Sequence, residues 1–588
     1  MIKKIVFIIF MLVTANAHAL DLSKIKWETN NHEPLIGSSK AVVGGIFRDQ
    51  LSSFPLTFRL FGPNSADQFA NWSRKFCINF QLTDIHPNTL KIIPMLATHW
   101  AVMPDQKTIY YKLDPDVKWN DGVPVTADDY VFAFEMLKSK FIIAPYTTKY
   151  IEDRFETVEK IDDYTIKIVG KRPSWRALYE YNFPPLPRHA TKLDETWVKR
   201  TNWESPVCVG SHMISDYKLG KSVTFERVKN WWGDKKRYLK GRFNFNKIII
   251  KVVRNRELGF QLFKKGELSV YTVALASGWV NDTDFEAVKK GWVVKKKFYN
   301  RTPNGMYGIF MNLTVPLFQN KNIRKAFQHL FDFETYNEKL MYGAYKRKVS
   351  ISTGTIFANP NLKPYEFSIE KALEYLKKAG FVKRGDDGIL VKDGQRLSVT
   401  LTYSSPSFEK LLSVMREDFK KAGVELDLKR LDGATAYKYG MERNYQMIIT
   451  IRTAGLHPSP LQFFHSKFAG MTKTNNITAY ANPVADKLID TYEYDLNANK
   501  RLQAMYKLDA LINDEAFIIP FWYANYYRVL YWNEFGLPDY FDTISSTGFN
   551  EFDTIWFDEE KYKKLKEAMK EDKSISLEPV EDDPHGVK

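Results

Sequence analysis

Apolar residues recur along this chain at two spacings, every second position in some stretches and every third or fourth in others. Residues 108–113 (Thr-Ile-Tyr-Tyr-Lys-Leu) read as a strand, and a dense turn signal follows at Asn120, Asp121, Gly122 and Pro124. Asn and Asp tolerate left-handed backbone, Gly adopts it freely, and Pro fixes φ. Thr126 then stands where a helix cap belongs, with Asp129 three residues on as a variant of the capping box. Tyr130, Val131, Phe134 and Leu137 repeat at helical spacing, so the pattern predicts strand, tight turn and capped helix in succession. The unit reads as scaffold and carries nothing catalytic.

The same reading predicts a first strand at 42–47, a hairpin over 158–169 turning at Asp162 and Asp163, and two short strands within 210–227 joined at Leu219, Gly220 and Lys221. A strand at 248–253 precedes an amphipathic helix at 256–266 that stops on a glycine. Further on come a strand at 307–312 and a helix at 322–330 with Ile323, Ala326, Phe327 and Leu330 on one face. Helix 370–380, strand 397–403, helix 408–422 and strand 424–431 follow. That βαβ-like order places a mixed α/β sheet in this half. A helix at 503–513 leads into an unusually aromatic run at 517–531, and the charged tail from Glu559 is expected to hold a short helix and then, at 579–584, to be mobile.

With 588 residues, 44% hydrophobic and 26% charged, the chain is globular. Its first residues differ. Lys3 and Lys4 precede an apolar run from Ile5 to Val13, and Ala17, His18 and Ala19 offer a small-x-small cleavage site. The run is too short to span a bilayer, which takes roughly 20 apolar residues, so residues 1–19 are expected to be a cleavable secretory signal peptide. Cys77 and Cys208 are the two cysteines, which excludes a disulfide-stapled scaffold; export permits their pairing, and buried free thiols are the alternative. The formal charge of +16 reads first as a solvated basic surface, and a preference for ligands carrying negative charge is the alternative. The basic residues are scattered, without the stripe that a nucleic-acid partner needs, and none is expected.

The ten histidines are dispersed, and His457 and His465 lack carboxylates at ligand spacing, so neither metal nor cofactor is expected. Gly210 and Ser211 lack the nucleophile-elbow pattern, and no phosphate or dinucleotide loop occurs. Asp128 with Asp129, and Asp162 with Asp163, are explained by capping and turning better than by paired-acid catalysis. No positive argument for an enzyme remains. An aromatic surplus does remain, with Phe521, Trp522, Tyr523, Tyr526, Tyr527, Tyr531 and Trp532 in one short run, which suits a cleft that grips varied ligands.

At this point a family can be recognised. Trp100 and Asp105, followed by Val117, Lys118, Trp119, Asn120, Asp121, Gly122, Pro124, Thr126, Ala127, Asp128 and Asp129, resemble the central signature of the extracytoplasmic solute-binding proteins of peptide-importing ABC transporters, family 5. The stretch from Gly210 to Arg227 with Trp232 and Gly233 is similar to a second family block. Phe310, Met311, Asn312, Pro316, Leu317, Phe318, Ile323, Arg324, Lys325, Ala326 and Asp332 are similar to a third, and residues 372–380 to a fourth. Residues 227–232, 241–245, 330–334 and 521–523 resemble the Yej-type subgroup, whose members take oligopeptides and microcin C.

The resemblance implies a two-lobed α/β periplasmic binding protein fold (type II, cluster C) with an extra subdomain in lobe one and a ligand cleft closed about a hinge. Its implied divisions are lobe one at 20–80 and 202–298, the extra subdomain at 81–201, lobe two at 299–527, and a return to lobe one with the tail at 528–588. The implied function is capture of oligopeptides or peptide-like solutes in the periplasm. Delivery is to an ABC permease with its ATPase at the inner membrane, by a monomer without enzymatic activity. A non-peptide solute (glycan fragment, siderophore or opine) or, further off, an exported hydrolase are the alternatives. Family members grip peptide backbone with extended main chain from both lobes, which places candidate contacts at Cys77, Ile78 and Asn79 and at Arg452, Thr453, Ala454, Gly455, Leu456 and His457. Trp522 and Tyr523 join them from the aromatic run. Many members hold the peptide's amino group with an Asp in the second segment, and this chain has no acid there. Free-amine anchoring is therefore not expected to carry over.

Overall fold

The computed structural model describes residues 22–452, 455–539, 551–583 and 586. The expected signal peptide and the candidates Thr453 and Ala454 lie outside the described residues.

The turn-and-helix unit forms as its sequence predicts. Thr108–Leu113 is a strand, Gly122 takes φ +91°, and Ala127–Lys138 is a helix with a capping box between Thr126 and Asp129. Asp129 does more than cap: besides the Thr126 N–H it accepts from Arg188 N–H at 3.0 Å and Trp119 Nε1 at 3.4 Å, tying turn, helix and a distant loop together. The strand lies second in a four-stranded antiparallel sheet ordered Ala97–Val102, Thr108–Leu113, Thr165–Gly170, Phe155–Asp162, whose last two strands are the expected hairpin.

A second sheet orders Ile46–Leu51, Lys247–Val252, Ser222–Arg227 and His212–Lys218, the first pair parallel and the rest antiparallel. The first strand thus starts four residues later than the apolar pattern at 42–47 suggests. Gly45 takes φ +71°, breaking extension, and Val42 and Val43 ahead of it are exposed. Both sheets feed one hydrophobic core that includes Phe47, Trp100, Tyr130, Phe225 and Ile248.

A separate core runs from Met306 to Phe521. Its five-stranded sheet orders Glu425–Arg430, Ser398–Tyr403, Met447–Arg452, Met306–Met311 and Ile518–Pro520. The Ser398–Tyr403 and Glu425–Arg430 strands are parallel and joined by the Glu409–Lys421 helix, the βαβ unit read from the sequence. Helix Lys321–Gln328 buries Ile323, Ala326 and Phe327 on its predicted face.

The chain passes between the cores along two neighbouring strands, Val293–Tyr299 and Tyr526–Trp532, paired antiparallel with Tyr299 opposite Tyr526. Adjacent crossing strands that end between two cores are the geometry of a hinge. The expectation of mobility at 579–584 is corrected over its described residues, 579–583, and Pro584 lies outside them. Helix Glu559–Lys570 packs Leu565 into a third cluster beneath the crossing strands, and Glu581–Asp582 pairs with Lys297 and Phe298. Glu578 explains the docking, since it accepts from Lys296 at 3.2 Å, Lys561 contributes at 3.3 Å, and Tyr531 OH donates at 3.2 Å. Charges that look solvated in sequence are here matched to a basic strand.

Candidate functional site

The Met447–Arg452 strand sits in the middle of the five-stranded sheet, between Ser398–Tyr403 and Met306–Met311. Its first three residues are buried, whereas Ile451 near its end is 60% exposed. A branched apolar side chain so bare at the end of a central strand marks the edge of an opening. A cavity of about 450 Å³ lies there, lined by Ile451, Arg452, Gly455 and His457 from this end of the sheet, by Ser352 and Met505 from below, and by Tyr146 and Tyr179 from the first body. It therefore stands between the two cores.

Next to the cavity the two bodies are stitched together. Trp175 Nε1 donates to the Tyr492 carbonyl at 3.1 Å, Arg172 to Tyr494 OH at 3.2 Å, and Arg176 to Glu493 at 2.6 Å. Both partners of the last pair are largely buried, the Glu493 side chain 3% exposed. Burial raises the Glu493 pKa, and the Arg176 charge opposes that shift. Arg501 lies over the Trp175 ring at 4.1 Å.

His457 is edge-on to both Trp175 and Tyr179, ring centroids 5.1 Å apart in each case. Burial, reinforced by the charges of Arg176 and Arg501, pushes its imidazole down to about 4, so it is neutral at physiological pH. Its Nδ1 is buried without a hydrogen-bond partner among the described residues, as are Arg452 Nε and Ser352 Oγ. Burial also lowers the Arg452 guanidinium.

The structure thus separates the sequence candidates. Arg452, Gly455 and His457 gather at the cavity; Leu456 is half-buried beside them and is not part of the lining. Cys77, Ile78 and Asn79 do not offer extended main chain. Cys77 ends the Ala70–Cys77 helix, Ile78 is still helical at φ −91°, ψ −31°, and the N–H groups of Ile78 and Asn79 both donate to the Arg74 carbonyl at 2.9 Å. Cys77 is also disulfide-bonded to Cys208. Trp522 lies on Phe521 at 4.7 Å, close to Phe331, and is packing for the second core. Tyr523 faces a different cavity of about 310 Å³ beside the crossing strands. Sequence reasoning did not single out Trp175, Arg176, Tyr179, Ser352 or Arg501. They come from distant parts of the chain, and only the fold brings them to one place.

A cavity between two bodies that meet at a two-strand crossing is the arrangement of a protein that binds a solute between its lobes. The description "Bacterial extracellular solute-binding proteins, family 5 Middle" matches residues 91–475, and the chain belongs to that family. The Yej-type likeness in its sequence has a counterpart in the probable peptide-binding protein YejA of Agrobacterium fabrum, 26% identical over 504 residues, 76% of this chain and 80% of that one. Among solved structures, the oligopeptide-binding protein AppA from Bacillus subtilis, in complex with a nonapeptide, matches with a TM-score of 0.68 at 18% identity, over 88% of this chain and 100% of that one. A periplasmic oligopeptide-binding protein from Thermotoga maritima, bound to mannohexaose, matches with a TM-score of 0.68 at 19% identity, over 88% and 99%. These likenesses carry the two-lobed fold.

Proposed function

We propose that this protein is the periplasmic substrate-binding component of an ABC importer that captures oligopeptides or peptide-like solutes. It hands them to a permease and its ATPase at the inner membrane, and works as a monomer without covalent chemistry. The observation that carries this reading is the cavity between the two cores at the end of the Met447–Arg452 strand, in a chain of family 5 with a relative named for peptide binding. The bare Ile451 and the aromatic rings of Tyr146 and Tyr179 give the apolar contact that tolerates varied side chains. The proposed lobes follow the cores, residues 299–527 forming one and the remainder the other, with 81–201 as a subdomain and the N-terminal 19 residues removed on export. Of the sequence candidates, Arg452, Gly455 and His457 are proposed as ligand contacts.

Native mass spectrometry of protein purified without refolding tests this reading. A co-purifying mass in the peptide range is expected, released on unfolding. Added peptide pools should raise Tm, because saturation at 100 times Kd stabilises the folded state by about 2.7 kcal/mol. Absence of both the mass and the shift with every peptide pool overturns the reading.

A further inference from the structure

The strand Val293–Tyr299 carries three lysines in a row, Lys295, Lys296 and Lys297, just before the chain crosses between the bodies. Adjacent positive charges repel one another, and here each is answered by one acid. Asp284 takes Lys295 at 2.7 Å, Glu578 takes Lys296 at 3.2 Å, and Glu581 takes Lys297 at 3.4 Å. Two of these three acids belong to the C-terminal tail. Residues 571–583 hold six acids and one lysine in a chain whose formal charge is +16, so the tail is charged to fit this strand.

The fit is one of backbone as well as charge, and the tail runs alongside the strand in the same direction. Ile575 N–H donates to the Lys290 carbonyl at 2.9 Å, Trp292 Nε1 to the Lys573 carbonyl at 2.9 Å, and Lys297 N–H to the Val580 carbonyl at 2.6 Å. Glu581 and Asp582 then pair with Lys297 and Phe298, covering the outer edge of a sheet ordered Val270–Thr272, Tyr526–Trp532, Val293–Tyr299, Glu581–Asp582. A strand tied along both edges twists less freely than one tied along a single edge. The next residue, Tyr299, ends the strand, and Asn300 N–H donates to the Asn525 carbonyl at 2.7 Å where the chain crosses. Glu581 also lines the cavity of about 310 Å³ beside the crossing, together with Trp279 of the third cluster and Tyr345 of the second core. Burial, with the Glu581 charge behind it, pushes the neighbouring Tyr299 phenol up to about 12. This cavity shares no lining residue with the one at the end of the Met447–Arg452 strand.

We propose that residues 571–583 are a strap on the hinge, which holds the strand Val293–Tyr299 in the twist seen here. The two cavities flank the crossing, so a rotation about it that widens one narrows the other. With Glu581 standing in the cavity beside the crossing, the strap resists that narrowing. It thereby favours the arrangement in which Arg176 meets Glu493 across the lobes. Release of the strap opens the lobes and weakens every ligand by the same factor, because a ligand that needs the closed form binds in proportion to its population.

The test is a full-length double variant, Glu578→Lys with Glu581→Lys, which sets two new positive charges against the lysines of the strand. Without ligand, its radius of gyration by small-angle X-ray scattering is expected to exceed that of the wild type. For two tetrapeptides that raise the wild-type Tm, affinity is expected to fall roughly three- to tenfold, with the ratio between the two peptides kept. The affinity arm rests on the peptide reading above, and the scattering arm does not. Equal radii without ligand overturn the strap whatever the affinities do. A changed ratio between the peptides overturns it in favour of a ligand contact. If no peptide binds either protein, the peptide reading falls and the radii alone decide the strap. If the double variant does not fold, Glu581→Gln carries the same comparison, since it removes the charge from the cavity and keeps the size of the side chain.

Discussion

Two cavities flank the passage between the cores, and their polar groups are treated differently. Beside the crossing strands, every buried side-chain polar atom of the lining has a partner among the described residues. Tyr526 OH donates to the Ala344 carbonyl at 2.7 Å, Arg528 donates to Tyr526 OH and Tyr345 OH at 3.2 and 3.4 Å, and Lys297 meets Glu581 at 3.4 Å. Between the sheet end and the first body, Arg452, His457 and Ser352 each keep a buried atom unmatched. The first pattern is that of a joint whose folding is complete in itself. The second is that of a site whose folding is completed by something else. Cavity volume alone does not separate the two; hydrogen-bond bookkeeping does.

The largest expected effect comes from cutting the stitch next to the open cavity. Glu493→Ala leaves Arg176 buried with its short contact gone and only the more distant Glu180, at 3.7 Å, as a counter-charge. Losing one partner of a buried pair costs about 3 kcal/mol, read as a lowered midpoint in urea. The equivalent cut on the crossing-strand side, Glu581→Ala, removes a half-exposed pair and is expected to cost under about 1 kcal/mol. Equal costs would remove the energetic distinction between the two regions.

The open cavity also carries a pH signature. His457 has a folded-state pKa of about 4, below its ordinary value, because of burial and the Arg176 and Arg501 charges. Between about pH 4 and 6.5 the unfolded chain therefore binds more protons than the folded one. Stability from this group is complete above about pH 6.5 and is lost as pH falls towards 4. His457→Gln, which does not titrate, should flatten the stability–pH curve in that window by about 2 kcal/mol relative to wild type. His212, pushed down to about 3 by burial, contributes in the same direction and is present in both proteins, so the difference isolates His457. Identical slopes would show that the imidazole is not held as described.

Much of the scaffold could be read from local pattern, and the cavity largely could not. The Thr126–Asp129 cap, the Phe155–Gly170 hairpin and the Ser398–Arg430 βαβ unit are specified by residues within a few positions of one another. The strand expected at 42–47 was misplaced because a glycine's φ outweighed two valines, and the tail was misread because its acids answer lysines nearly three hundred residues away. At the cavity, Arg452, Gly455 and His457 are the candidates that family likeness singled out and that line it. The opposite wall was not legible, since Trp175 and Arg176 meet Tyr492 and Glu493 across 317 positions of sequence. The Cys77–Cys208 pairing is likewise a contact over 131 positions that spacing does not encode.

The finest test of the two cavities compares one hydroxyl from each. Tyr526→Phe removes a group that both donates to Ala344 and accepts from Arg528, and should cost about 1 kcal/mol or slightly more while leaving ligand affinity unchanged. Ser352→Ala removes a hydroxyl that has no partner among the described residues although the residue is only 2% exposed. Deleting an unmatched buried polar atom forfeits no hydrogen bond, so stability without ligand should stay within about 0.5 kcal/mol of wild type or rise. Affinity for peptides should nevertheless fall, because the residue lines the cavity in which the ligand is proposed to sit. If Ser352→Ala behaves like Tyr526→Phe, losing stability and keeping affinity, the hydroxyl serves the fold and the contrast between the cavities fails at its most sensitive point.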